Sequence, residues 1–329
     1  MRYIVYGAGA VGSVIGAYLH TTGLDAVIVA RPGHASRINQ RGLIVHSPSQ
    51  THRIFVRATM SASDLIPFEA DDAVLLTVKS QHTDTALTEL RQAGVPVTTP
   101  VFCMQNSVVN ERKATSYFEN VYGVITAMPA IYLVDGEVTG ADISCPGVLE
   151  IGRYPEGSDD VAQAVARDLQ RAGFRVGLNS QIMPAKYAKL LTNIGNSLFA
   201  IVGLQANRQE LEAFLSELRN EAISVWDRAG ITYEPESELH ERVMRPALKL
   251  KLPDSTTFGG STWQSLARHA GSVETDYLEG EIVREAKKVG IEVPLNHLLC
   301  RIGNEMAKNG LGPGSHTISD LRRLAAEVT

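Results

Sequence analysis

The chain has 329 residues, 44% hydrophobic and 20% charged, with a formal net charge of -5. That length is more than one hydrophobic core usually serves, so two domains of ordinary globular composition are expected. The acidic balance argues against a nucleic-acid partner, and no apolar run approaches the roughly 18 residues a membrane span needs.

"YIVYG", at the start, is a short apolar run closed by glycine, hence a buried strand. "AVGSVIGAYLHTTG" reads as a helix, "AVIVAR" as a second buried strand, and "RPGH" as a turn. "DAVLLTVK" is another buried strand, "HTDTALTELRQAG" a helix stopped at Gly94, and "TPVFCMQNS" a strand with polar residues past its end. Strands alternating with helices indicate parallel βαβ units. Residues 121–155 read as several strands with turns, and "DDVAQAVARDLQRAGFRV" as one more helix and strand. From about residue 180 no strand signal remains. Helical patterns cover 183–204, 207–229, 235–249 and 274–289, and "KLPDSTTFGGSTWQ" reads as a loop between them. The expected division is an α/β domain over 1–178 and an all-helical domain over 179–329. Cys103, Cys145 and Cys300 are far apart and lack metal-ligand spacing, so no metal site is expected. An odd, sparse set suits a reducing cytoplasm, and a first strand at residue 2 or 3 leaves no room for a cleaved signal.

The glycines Gly7, Gly9 and Gly12 follow a strand, open a helix and lie in the first βαβ unit. In that context the loop Gly7, Ala8, Gly9, Ala10, Val11, Gly12 reads as a dinucleotide cradle. Gly7 permits the turn, Gly9 lets backbone approach a pyrophosphate, and Gly12 lets helix and strand pack closely. A tight turn with no ligand is the plainer alternative. The second strand then selects the cofactor. An Asp or Glu at its end usually takes the ribose hydroxyl of NAD, but "VIVARPGH" has no acid and puts Arg31 there. Arginine clamps a 2′-phosphate bidentately and stacks on adenine, so NADP(H) is favoured, with His34 and Arg37 adding to the positive field. Ligands of open α/β sheets lie beyond the carboxyl ends of the strands. Lys79 and Asn106 sit at two such ends. The lysine could face cofactor or an anionic substrate, and the asparagine the nicotinamide ribose.

In "MPAKYAKLLTNIGNSLFAIVGL", at about 100° per residue, Asn193 lies about 40° from Lys189, Asn196 about 20° to the other side and Lys186 about 60° away. A Lys and Asn stripe on an apolar rod suggests a surface that binds something polar. Glu274, in "SVETDYLEGEIV", stands at a helix start, where acids also serve the dipole.

With these stretches, "GAGAVGSVIGAYL", "VARPGH", "VKS", "QNSVVNE", "AKLLTNIGNSL", "STWQSL" and "ETDYLEGEIV", the chain resembles the ketopantoate reductase (2-dehydropantoate 2-reductase) family over nearly its whole length. The resemblance implies an α/β fold: an N-terminal Rossmann-type dinucleotide-binding domain, an all-helical C-terminal domain of the 6-phosphogluconate dehydrogenase type, and an active site in the cleft between them. It implies reduction of 2-dehydropantoate to pantoate by NADPH, a step towards coenzyme A. Lys189 matches the family's catalytic lysine, Asn193 the asparagine one turn later, and Glu274 the carboxylate that binds the substrate hydroxyl. Asn106 matches the asparagine of the QN pair and Lys79 the lysine after the third strand. Ser261 or Thr262 matches a serine for the substrate carboxylate. Two departures fall on the substrate side. Where the family often has Asn eight residues after the lysine, this chain has Ser197, with Asn196 one earlier; and Ser107 replaces the glycine after the QN pair. Both bear on the substrate pocket, so a different ketone, another 2-keto acid or a bulkier ketone, is the alternative substrate, and a non-catalytic NADPH-binding regulator the alternative of another class. The helical half could support a homodimer, and the tail after "NGLGPGSHTISD" could be a capping helix or a partner contact.

Overall fold

The structure is a computed structural model describing residues 1–253 and 259–327. The chain divides into two compact units, Met1–Lys186 with Pro235–Thr256, and Tyr187–Glu234 with Thr257–Thr329.

In chain order the first unit has β1 (Arg2–Tyr6), α1 (Ala10–Thr21), β2 (Asp25–Val29), α2 (Pro32–Arg41), β3 (Leu43–His46), β4 (Thr51–Ile54), β5 (Arg57–Thr59), β6 (Asp72–Leu76) and α3 (Thr83–Gln92). There follow β7 (Val101–Cys103), α4 (Asn110–Ala114), β8 (Val121–Ala127), β9 (Ala130–Ile131), β10 (Glu137–Gly140), β11 (Val148–Arg153), α5 (Asp160–Arg171) and β12 (Arg175–Leu178). The main sheet has eight strands in the order β12-β11-β8-β7-β6-β1-β2-β5. All neighbours are parallel except β8 and β11. The six strands β5-β2-β1-β6-β7-β8 have the order of a Rossmann sheet, whose direction of winding reverses between β1 and β6. Both faces are covered. Along β1, Tyr3 and Val5 enter one apolar layer, and Ile4 and Tyr6 the other. That is why the strand reads as a continuous apolar run rather than an alternating one.

A second sheet, β4-β3-β10-β9, was not anticipated at 43–54. Its β4 has the sequence THRI and buries only Ile54. "RPGH" is not a free turn: Pro32 opens α2, and its fixed φ suits that position.

Helix α6 (Ile182–Asn193) carries the boundary between the units, after Lys186. The segment returning to the first unit holds α9 (Glu236–Leu239), a wider helical turn over His240–Met244, and α10 (Arg245–Ala247). Arg242 on that turn pairs with the buried Glu150 of β11, which also accepts from Asn179 Nδ2 at 3.1 Å.

The second unit has no strand among its described residues. It contains α7 (Gly195–Val202), α8 (Arg208–Ala229), α11 (Ser261–Ala267), α12 (Glu279–Val289), α13 (Pro294–Lys308) and α14 (Ile318–Ala326). Asn207 caps α8 by accepting from the N–H groups of Gln209 and Glu210, and Gly230 ends it in the left-handed conformation. The Glu221 carboxylate accepts from the N–H groups of Leu295 and Asn296, so α8 caps α13. The tail forms α14, packed on α8 and α13, with the Arg322 guanidinium 4.7 Å from the Phe214 ring centroid. Of the loop expected at 251–264, residues 254–258 lie outside the described residues, and Ser261–Ala267 is helix α11.

Candidate active site

The glycine loop is held by its neighbours. Gly7 N–H and Ala8 N–H donate to the Val29 carbonyl at 3.0 and 3.2 Å, and Thr77 Oγ1 donates to the Gly7 carbonyl at 2.7 Å. Gly7 has φ +112°, and a Cβ there would lie 2.6 Å from the Val78 nitrogen. A Cβ on Gly12 would overlap the Gly7 carbonyl oxygen and reach Thr77 Oγ1 at 2.5 Å. A Cβ on Gly9 would meet nothing within 4 Å. Two glycines therefore bring backbone against backbone, and the third leaves an open approach. The first intrahelical bond of α1 runs from Ser13 N–H to the Gly9 carbonyl. The amides of Ala10, Val11 and Gly12 precede it, at the positive end of the helix dipole, with no acid in the first turn and no side-chain cap. This arrangement fits a pyrophosphate.

Arg31 follows β2 as the N-cap residue of α2; its carbonyl accepts from Ala35 N–H at 2.9 Å, and its exposed guanidinium has no hydrogen bond or ion pair among the described residues. The expectation for His34 is corrected. Its ring is buried, Nδ1 accepts from Gly136 N–H at 2.8 Å, and Nε2 meets Ser13 Oγ at 3.1 Å. Burial holds its pKa below the ordinary value, and nearby Arg31 pushes the same way against Asp135. His34 is a neutral brace between α1, α2 and the residue before β10, and adds nothing to the positive field. Arg37 is exposed on α2. Lys79 heads a single 3-10 turn, Ser80–His82, after β6, and Asn106 follows β7; both are partly buried. The glycine loop, Arg31, Lys79 and Asn106 thus share the carboxyl edge of the sheet.

Lys186 is also corrected. It does not present an amine to a ligand. It is buried, pairs with the buried Glu111 of α4, and donates to the Gln105 carbonyl at 3.1 Å. Lys189 and Asn193 are one turn apart on α6 and both buried. The helix does not run on unbroken: Ile194 interrupts it, and Asn196 and Ser197 belong to α7. A Cβ on Gly195 would lie 2.8 Å from Leu215, so the glycine after the break admits α8 closely. Asn196 approaches the start of α11, where a Cβ on Gly260 would lie 2.8 Å from its Oδ1. Glu274 is buried and heads a 3-10 turn, Thr275–Tyr277, rather than α12.

Among the described residues of the second unit, six side chains keep buried polar atoms with no hydrogen-bond partner: Ser197 Oγ, Ser261 Oγ, Thr262 Oγ1, both carboxyl oxygens of Glu279, and, away from the candidate residues, Trp226 Nε1 and Asn296 Oδ1. Buried polar groups are rarely left so. The first three are candidates read from the sequence. Glu279 was not singled out, because an acid in a first helical turn reads as a dipole partner. It is fully buried near the Ser197 hydroxyl, although the two make no hydrogen bond of normal geometry, and burial pushes its pKa up to about 8. Glu111, Asn110 and Thr77 were missed too. Glu111 and Thr77 have partners 75 and 70 residues away, and Asn110, besides the Asn106 carbonyl four residues before it, bonds Ser80 30 residues away, so little in the local sequence marks them. No cluster of metal-binding side chains and no helix fit to cross a membrane occurs among the described residues.

Residues 3–156 match the family Ketopantoate reductase PanE/ApbA, and 181–307 its C-terminal domain. The chain is 28% identical over 320 residues to the 2-dehydropantoate 2-reductase of Pyrococcus horikoshii, covering 96% of this chain and 100% of that one. With the enzyme of the same name from Archaeoglobus fulgidus it shares 26% over 306 residues, covering 92% and 96%. A PanE/ApbA family ketopantoate reductase from Ralstonia eutropha superposes with a TM-score of 0.77 at 26% identity, covering 94% and 99%. A D-mandelate dehydrogenase in ternary complex with NADH and anilino(oxo)acetate shares the fold, with a TM-score of 0.76 at 21% identity, covering 98% and 100%. With a Rossmann sheet in one unit, a helical second unit and matches over both, the chain belongs to the ketopantoate reductase PanE/ApbA family, dinucleotide-binding oxidoreductases acting on CH–OH donors.

Proposed function

We propose that the protein reduces a 2-keto acid with NADPH, and that 2-dehydropantoate, giving pantoate, is the first substrate to test. The observation that carries this reading is the buried set Lys189, Asn193 and Glu274, in a chain whose curated relatives are named 2-dehydropantoate 2-reductase. The first unit takes the cofactor: Gly7–Gly12 the pyrophosphate, Arg31 the 2′-phosphate, and Lys79 and Asn106 the nicotinamide end. When bound, NADPH supplies the hydride that reduces the ketone carbon. Lys189 polarises the ketone oxygen and gives its Nζ proton to the alkoxide that forms there. Glu274 accepts from the substrate hydroxyl and favours the charged lysine. Ser261 or Thr262 donates to the substrate carboxylate, and Asn193, Asn196 and Ser197 orient the acid. The chemistry needs no nucleic acid, membrane or metal. It suits a cytoplasmic enzyme, and a homodimer is compatible with it.

Ser107, Asn196 and Ser197 favour a second reading, the same reaction on a different 2-keto acid. The D-mandelate dehydrogenase neighbour supports it, since a related fold there serves another acid. Loss of reduced-nicotinamide absorbance with 2-dehydropantoate, a panel of other 2-keto acids, and NADH in place of NADPH tests both. Turnover of 2-dehydropantoate alone supports the first, and turnover of another acid alone supports the second. NADPH binding without turnover of any ketone would leave a non-catalytic regulator.

A further inference from the structure

A peptide unit is planar, so holding one carbonyl in place holds the orientation of the whole unit. Two such units flank the Cα of Asn106. The carbonyl of the first, at Gln105, accepts from Lys186 Nζ at 3.1 Å. The carbonyl of the second, at Asn106, accepts from Asn110 Nδ2 at 2.8 Å and from Ser80 Oγ at 3.3 Å. Asn110 is itself fixed: its Nδ2 also donates to Ser80 Oγ at 3.1 Å, and its Oδ1 accepts from Thr83 Oγ1 at 2.8 Å. Thr83 in turn accepts from Gln105 Nε2 at 2.7 Å. The Lys186 charge is balanced by Glu111, next to Asn110 on α4, and both members of that pair are buried. The second peptide unit leads into Ser107, which has φ +77°, a left-handed conformation that a non-glycine residue holds only when its surroundings impose it.

We infer that Lys186 and Asn110 are positioning residues for Asn106, one on each flanking peptide plane, with Glu111 as the counter-charge that keeps Lys186 in place. Together they set the backbone torsions of Asn106 and hold the strained turn at Ser107. The asparagine side chain then projects in one direction. Stability alone is a weak reason for such a pair, because apolar replacements of a buried ion pair are often neutral or better. The inference rests on the reading of Asn106 as a cofactor contact.

Lys186→Met with Glu111→Leu removes both charges and leaves neither partner buried alone. Cofactor dissociation constant by NADPH fluorescence, kcat, KM and Tm would be measured for that double variant, for Ser107→Gly, and for the combination. The expected result is a folded double variant with a cofactor affinity at least tenfold weaker. Much of that loss returns on adding Ser107→Gly, since glycine takes the positive φ unaided. Wild-type affinity in the double variant overturns the inference, as does a loss that Ser107→Gly leaves unchanged, which would mean the pair acts on the fold at large. Should the double variant not fold, Asn110→Asp replaces the donor to the Asn106 carbonyl by an acceptor with the ion pair intact. The same coupled loss is then expected, and unchanged affinity overturns the inference. A wild-type protein that binds dinucleotide but reduces no 2-keto acid would sink the proposed reaction, while the affinities would still decide the positioning role.

Discussion

Replacing Glu279 by glutamine should stabilise the protein, and increasingly so as the pH rises. The carboxyl is fully buried with no hydrogen-bond partner among the described residues, and its pKa rises from 4.5 to about 8. Burial is the main cause, the Asp276 charge adds to it, and the Ser197 hydroxyl opposes it. In the unfolded chain the group ionises near its ordinary value. Between 4.5 and about 8 the folded state therefore holds more protons than the unfolded one, and stability falls as pH rises through that window. At about 1.4 kcal/mol per pH unit, the full displacement corresponds to about 5 kcal/mol. Relaxation and water entry reduce such penalties in real proteins, so about 2–4 kcal/mol is the expected difference above the window. Glutamine keeps the shape and removes the titration. Urea unfolding of wild type and Glu279→Gln at about pH 5 and about pH 9 measures it, read from the transition of the second unit if the two unfold separately. The two proteins should differ little at the lower pH and by the stated amount at the higher. A difference that does not change with pH would refute the reasoning, because it would show that Glu279 ionises normally in the fold.

Lys189→Ala should lower kcat by about 10²–10⁴, the usual contribution of a general acid, and leave NADPH binding close to wild type; near-normal turnover would exclude the lysine as the proton donor. Arg31→Ala should weaken NADPH binding by about tenfold to a hundredfold, the worth of charged hydrogen bonds of about 1.5–3 kcal/mol, and leave NADH nearly unaffected. Equal losses for the two cofactors would remove Arg31 from the 2′-phosphate. Gly12→Val should lower Tm sharply or prevent folding, since even its Cβ would overlap the Gly7 carbonyl oxygen. Gly9→Ala, with open space at its Cβ, should leave Tm within a few degrees and weaken dinucleotide binding, as read by calorimetry and NADPH fluorescence.

The parts of the fold legible in the sequence are those whose causes are local. β1 announces itself because both its faces are buried, and the glycine spacing because a strand must turn at once into a helix whose first turn touches it. Alternation of strand and helix then gives the parallel sheet. The strands at 43–54 escaped because four residues with one or two inward side chains carry almost no pattern. The break at Ile194 had one local sign, the glycine after it, which a uniform helical wheel overlooks.

Polar residues on an apolar helix posed a harder problem, and Lys186 and Lys189 show why. They sit three residues apart on α6, equally polar and equally buried, and a wheel places both on one stripe. A wheel gives the direction of a side chain and says nothing of what meets it. Lys186 meets Glu111, 75 residues earlier in sequence, and becomes part of the scaffold behind Asn106. Tertiary hydrogen bonding, invisible to a wheel, is therefore what assigns Lys186 to the scaffold. Lys186 and His34 leave the candidate set, because protein atoms account for their polar groups. Ser197, Ser261 and Thr262 stay, because their hydroxyls are buried and unmatched. Glu279 joins them on the same ground, having given no signal in sequence beyond that of an ordinary first-turn acid.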